Sequence, residues 1–175
     1  PGILLSSAIK KYADLFGVSC GEKNILFTNN DSAYETAISL IEKGINVEAI
    51  VDNREQVDSK LIYEVEKNNV KIFKGHTIVN TYGHKRINKI SIMQLSKDGQ
   101  NVIGSKIDLS CDCLGISGGW TPAVHLFTQS GGKLKFRDED QVFIPNVYPS
   151  DQISVGACNG DLTLDSILVN VPKSL

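Results

Sequence analysis

The sequence predicts an α/β fold in which a small parallel sheet is joined to an antiparallel β-meander, and two observations carry that expectation. Between residues 25 and 73, short apolar runs alternate with amphipathic stretches in the order strand, helix, strand, helix, strand. That spacing calls for parallel pairing with right-handed crossovers. Past Gly75 the pattern changes to runs that alternate or carry β-branched residues, at 76–81, 86–95 and 102–109, with Asp98-Gly99 as a turn.

The first element read along the chain is an amphipathic helix over 4–16. Leu4, Leu5, Ala8, Tyr12, Leu15 and Phe16 recur at helical spacing, and Gly17 marks the stop. Residues 19–24 make a turn into the short apolar strand ILF at 25–27. The following helix has Asn30 or Asp31 as its cap, Ser32 and Glu35 at capping-box spacing, and Ala33, Ala37, Leu40 and Ile41 as its buried stripe. Gly44 ends it. VEAIV at 47–51 is the second strand, closed by Asp52; a helix over 60–68 then leads into a strand at 70–73. Beyond the meander come a strand at 111–116 and the loop SGGWTPAVHLFTQSGG. Strands at 142–144 and 153–157 and a helix from about Asp161 complete the chain.

Composition bounds the function. With 41% hydrophobic and 22% charged residues, the 175-residue chain has an ordinary globular make-up. A net charge of −2 and a pI near 5.9 give no electrostatic case for nucleic acid or an anionic membrane. No apolar run approaches the ~20 residues that span a bilayer. The four cysteines, Cys20, Cys111, Cys113 and Cys158, are scattered and fit a reducing, cytoplasmic setting. Cys111 and Cys113 are expected on one face of a strand, but no second pair or histidine completes a metal set. A start at Pro1 without methionine suits a piece of a longer polypeptide or a processed terminus.

The stretch ILFTNNDSAYETA at 25–37 has the strand-to-helix outline of a dinucleotide-binding turn and lacks its glycines. Glycines there let phosphate approach the backbone and the helix pack closely on the strand. Ala33 preserves the close packing, and Asn29 and Asn30 tolerate a sharp turn. Their side chains obstruct phosphate, and Asp31 places a negative charge at the helix start. Asp52 stands where a ribose-binding acid would, or is a solvated acid after a strand. SGGW at 117–120 lines a ligand crevice, or is a connection whose Trp120 fills a packing gap. VGACNG at 155–160 holds a phosphate on backbone amides, or is an ordinary turn. His125, between Val124 and Leu126, reads more readily as a buried histidine than as a base. His76 and His84 show no partners in sequence, and no catalytic residue is assigned.

NNDSAY at 29–34, VDNRE at 51–55, SGGWTPAVHLFTQSGGKL at 117–134 and VGACNG together resemble the alpha subunits of heterotetrameric sarcosine oxidases. PGILLSSAIKKY at the start is similar to the same family. The resemblance implies an internal fragment with an NAD(P)-binding Rossmann-like domain, built on a central parallel sheet and an antiparallel β-meander, as in two-dinucleotide-domain flavoprotein reductases. Residues 1–20 would be a connecting helix and 21–118 an inserted NAD(P)-domain-like unit. Residues 119–175 would return to the interrupted partner domain.

The implied assembly is cytoplasmic and bacterial, with beta, gamma and delta subunits as partners. It oxidises sarcosine to glycine with oxygen, releasing hydrogen peroxide and a one-carbon unit as formaldehyde or to tetrahydrofolate. FAD and FMN serve the beta side, and the alpha subunit holds NAD outside the catalytic turnover. The resemblance places Ala157, Asn159, Leu162 and Thr163 near that NAD. Related reductases carry Gly-Asp where this chain has Gly156-Ala157, a change that suits NAD in place of FAD. Two other readings stay open: a flavin-dependent NAD(P)H oxidoreductase domain, and a non-catalytic assembly module.

Overall fold

The computed structural model describes residues 1–57, 60–149 and 151–174, and residues 1–119 form one of its two units. The elements of that unit are β1 (Ile3–Leu5), α1 (Ser6–Phe16), β2 (Asn24–Thr28), α2 (Ser32–Glu42), β3 (Val47–Asp52), α3 (Lys60–Lys67), β4 (Lys71–Lys74), β5 (His76–Gly83), β6 (Ile87–Leu95), β7 (Val102–Ser110) and β8 (Cys113–Ser117). The central sheet runs β1-β8-β2-β3-β4 with every adjacent pair parallel. Strands β5, β6 and β7 pair antiparallel in their own sheet, as the change of period after Gly75 predicts.

Alternation along each central strand sends neighbours to two cores. Leu26, Ile50 and Cys113 join Ile9 and Ala13 of α1, Tyr34, Ala37 and Leu40 of α2, and Ile62 and Val65 of α3. On the other face Ile25, Ala49, Val51 and Leu114 meet Ile87, Ile90 and Ile92 of the meander. The sheet is therefore covered by helices on one side and by β-structure on the other.

The N-terminal helix begins later than its periodicity predicts. Residues Ile3–Leu5 are an edge strand, with Ile3 opposite Leu114 and Leu5 opposite Ile116. Pairing with β8, more than a hundred residues away in sequence, satisfies backbone groups that local spacing assigns to a helix. The helix closes as predicted at Gly17, whose φ of 62° lets its N–H reach Ala13 O while Val18 N–H reaches Tyr12 O.

Cys111 and Cys113 do not share a face. Asp112 lies in a bend before β8, so Cys111 packs in the meander-side core and Cys113 in the helix-side core. Burial, then the nearby Asp112 charge, pushes the Cys111 thiol up to about 11; burial, then Cys20, pushes Cys113 up to about 12. Both ordinarily titrate at 9.0, so an unfolded chain releases these protons before the folded one does. Their contribution to stability is fully present below pH 9 and is lost as pH rises through 11 to 12. Urea denaturation is expected to show a decline beginning near pH 9 that Cys111→Ser and Cys113→Ala each reduce. Iodoacetamide at pH 8 should label both only after unfolding; native labelling at the unfolded rate would contradict the burial argument.

Residues 120–175 form the other unit, with α4 (His125–Gln129), an antiparallel hairpin of β9 (Lys133–Arg137) and β10 (Val142–Val147), a 3₁₀ turn at Gly156–Asn159 and α5 (Leu164–Ser174). Strand β9 has no signal in the charge-rich KLK and depends on its partner: Val142 and Ile144 are buried while Phe136 and Phe143 stack edge-on outside. The expected strand at 153–157 is absent. Gly156, at φ 69°, turns the chain into the 3₁₀ segment instead. His125 is exposed at the start of α4, against the expectation of burial, because the short helix turns only Phe127 inward, over Gly132. Trp120 is 62% exposed and so fills no packing gap among the described residues.

Candidate functional site

In a nucleotide-binding βαβ unit the ligand lies outside the carboxyl ends of the strands, against the first strand–helix turn. Here that position falls between the β2–α2 turn and the segment after β8, and the two are bonded together. Asn29 N–H donates to Ser117 O at 3.3 Å, and Asn29 Nδ2 to Gly118 O at 3.3 Å. Asn30 Nδ2 donates to Ser117 O at 3.0 Å. The Ser117 hydroxyl stands 3.1 Å from that of Ser32 and 3.3 Å from Asn30 Oδ1. The carboxamides that replace glycines thus act as a latch across the crevice. Of the SGGW segment, Ser117 and Gly118 are the residues bonded to that turn.

The helix start is capped differently from the capping-box expectation. Asn30 Oδ1 accepts from Ser32 N–H at 3.1 Å and from Ser32 Oγ at 2.6 Å. Asp31 makes no side-chain cap, and its carboxylate pairs with Arg54 Nη2 at 2.8 Å. The negative charge that sequence places in the path of a phosphate is therefore already matched by a cation.

Asp52 is neither ribose-ready nor solvated. It is fully buried at the end of β3 and accepts from Tyr34 OH at 3.0 Å, Arg54 N–H at 2.9 Å, Arg54 Nε at 3.1 Å and Arg54 Nη2 at 2.8 Å. Such a forked guanidinium–carboxylate pair uses the acceptor positions a ribose would need. Burial, then the Asp52 charge, drives the Tyr34 phenol well above the usual tyrosine range. The bonds to Asp52 and Asp31 hold the Arg54 guanidinium still more firmly in its charged form. Sequence pattern gives Tyr34 and Arg54 no role; the only signal is the acid–base pair two residues apart in VDNRE.

The residues that the resemblance places near NAD lie together in the other unit. Ala157 is exposed in the 3₁₀ turn, and Asn159 Oδ1 accepts from Tyr148 OH at 2.8 Å. Leu162 is 41% exposed. Thr163 Oγ1 accepts from Ser166 N–H at 3.2 Å, which makes it the cap of α5. Among the described residues, no group of three His, Cys, Asp or Glu side chains is arranged to hold a metal.

No family model matches the chain. It is 30% identical over 168 residues to a sarcosine oxidase subunit alpha of Corynebacterium sp. (strain U-96), covering 96% of this chain and 17% of that one. With the subunit alpha of Rhizobium meliloti (strain 1021) it shares 27% over 159 residues, 90% of this chain and 15% of the relative. The chain therefore spans only about a sixth of the length of these relatives. Among solved structures, the HOCl-induced flavoprotein disulfide reductase RclA of Escherichia coli matches with a TM-score of 0.65 at 14% identity, over 97% of this chain and 37% of that one. Thioredoxin reductase of T. acidophilum matches with a TM-score of 0.59 at 16% identity, over 98% and 58% respectively. Along nearly its whole length, then, the chain is related to one segment of the sarcosine oxidase alpha subunits, in the fold of the two-dinucleotide-domain flavoprotein reductases.

Proposed function

We propose that this chain is a structural part of a sarcosine-oxidase-type alpha subunit. Residues 1–119 keep the NAD(P)-domain architecture and hold no dinucleotide in the β2–α2 turn. Residues 120–175 supply Ala157, Asn159, Leu162 and Thr163 to an NAD site that other parts of a longer polypeptide complete. The assembly would oxidise sarcosine to glycine with oxygen, in the cytoplasm, with FAD and FMN carried chiefly by a beta subunit and with gamma and delta subunits as further partners. The chain contributes no acid, base or nucleophile of its own to that reaction.

The carrying observation is the latch from Asn29 and Asn30 to Ser117 and Gly118, seconded by the complete engagement of Asp52. The residues at the β2–α2 turn do not fit a dinucleotide. Phosphate oxygens need free backbone amides, and here Asn29 N–H already donates to Ser117 O and Ser32 N–H to Asn30 Oδ1. At 157 an exposed alanine stands where related reductases carry Asp, which supports NAD in place of FAD.

Calorimetric titration of the chain with NADH is expected to give no saturable binding at micromolar concentrations. Asp31→Gly alone should not restore any, because Arg54 already neutralises that carboxylate. In the full assembly, Asn159→Ala and Thr163→Val are expected to lower the NAD retained on purification while leaving flavin content unchanged. Micromolar NADH binding by the chain, weakened by substitutions in 29–32, would overturn the reading in favour of an NAD(P)H-using domain.

A further inference from the structure

A cavity of about 490 Å³ lies within residues 1–119, between the segment after β3 and the far end of the meander. Its volume suits a small ligand, for which sites of roughly 300–1,000 Å³ are usual. The wall has three useful features. The Glu55 carboxylate folds over Gly75 and occupies the space a side chain there would take; a Cβ at Gly75 would collide with Glu55 Oε2. Lys97 supplies a cation from the β6–β7 turn, and Leu95 and Ile103 supply apolar surface. No ion pair engages Glu55 or Lys97 among the described residues.

One acid, one base and an apolar wall make a site for a molecule carrying both charges. We propose that this cavity binds a zwitterionic α-amino acid with an apolar side chain. Its ammonium group faces Glu55, its carboxylate faces Lys97, and its side chain lies on Leu95 and Ile103. The site is separate from the β2–α2 turn, and its existence does not depend on whether that turn binds a nucleotide.

The test uses the whole chain and NMR shifts of the Gly75 and Gly99 amides. Leucine is expected to give saturable shifts with a Kd on the order of 1 mM, as suits two solvent-facing charges. Isopentylamine, which lacks the carboxylate, and 4-methylpentanoate, which lacks the ammonium, should each bind about tenfold more weakly. Glu55→Gln should weaken leucine and isopentylamine and spare 4-methylpentanoate; Lys97→Met should weaken leucine and 4-methylpentanoate and spare isopentylamine. Both side chains are exposed, so the variants should fold. No saturation by leucine, equal binding of the half-molecules, or saturation by NADH alone would each overturn the proposal.

Discussion

Arg54→Met is expected to lower the stability of residues 1–119 by about 3 kcal/mol, because it strips the cation from a carboxylate that has no water to replace it. Asp52 is completely buried, and Arg54 is its only cationic partner among the described residues, through two side-chain bonds and one backbone bond. Breaking such a pair from one side costs more than the pair contributes net, since the orphaned charge keeps its desolvation cost. The Arg54 side chain is partly exposed, at 32%, and this keeps the figure at the lower end of the range for buried pairs. Asp52→Asn in the Arg54→Met background should recover most of the loss, because an amide needs no cation and can still accept from Tyr34. Urea titration of the three proteins measures this directly. If Arg54→Met costs under about 1 kcal/mol, the cluster is not what fixes the end of β3.

The second large effect is at Gly115. On β8 this residue faces α1, and a Cβ there would lie 2.6 Å from Leu26 Cδ2, 2.9 Å from Ile9 Cδ1 and 3.0 Å from Ser6 Oγ. Its neighbours are fully buried, so they have no solvent to retreat into. Gly115→Val is expected to cost about 3 kcal/mol by overpacking, enough to lower Tm by roughly 10 °C in a unit of this size. Ile9→Ala in the same chain should return part of that, which separates a steric clash from an altered strand preference. If Ile9→Ala merely adds its own loss, the helix does not press on the sheet at this point.

These two sites differ in how far the sequence announces them. Glycine in an apolar strand run is a readable sign of close approach, but the identity of the approaching helix is not. Asp52 is readable as the acid ending a strand, and its partners are not. Tyr34 lies eighteen positions earlier and reaches Asp52 only because α2 folds back over β3. The same holds for the crevice. Asn29 and Asn30 could be seen to lack the glycine cradle, which is a local, steric fact. That they bond to Ser117 and Gly118, 87 to 89 positions away, follows from β2 and β8 being parallel neighbours. Local chemistry points to obstruction by the carboxamides and repulsion by Asp31; the folded chain keeps the first and pairs Asp31 with Arg54.

The order and period of the elements are legible residue by residue in the sequence, and with them a parallel sheet followed by a meander. Hydrophobic periodicity is a local property, so the stop at Gly17, the three meander strands and the β2–α2–β3 unit could all be read directly. Its motifs also carried the likeness to the sarcosine oxidase alpha subunits. Tertiary structure decided what depends on partners distant in the chain: the edge strand at Ile3–Leu5, the separation of Cys111 from Cys113, the β9 strand and the closure of the crevice. Each arises because a backbone or side-chain group takes the nearest complementary group in space, and sequence distance sets no limit on which one that is.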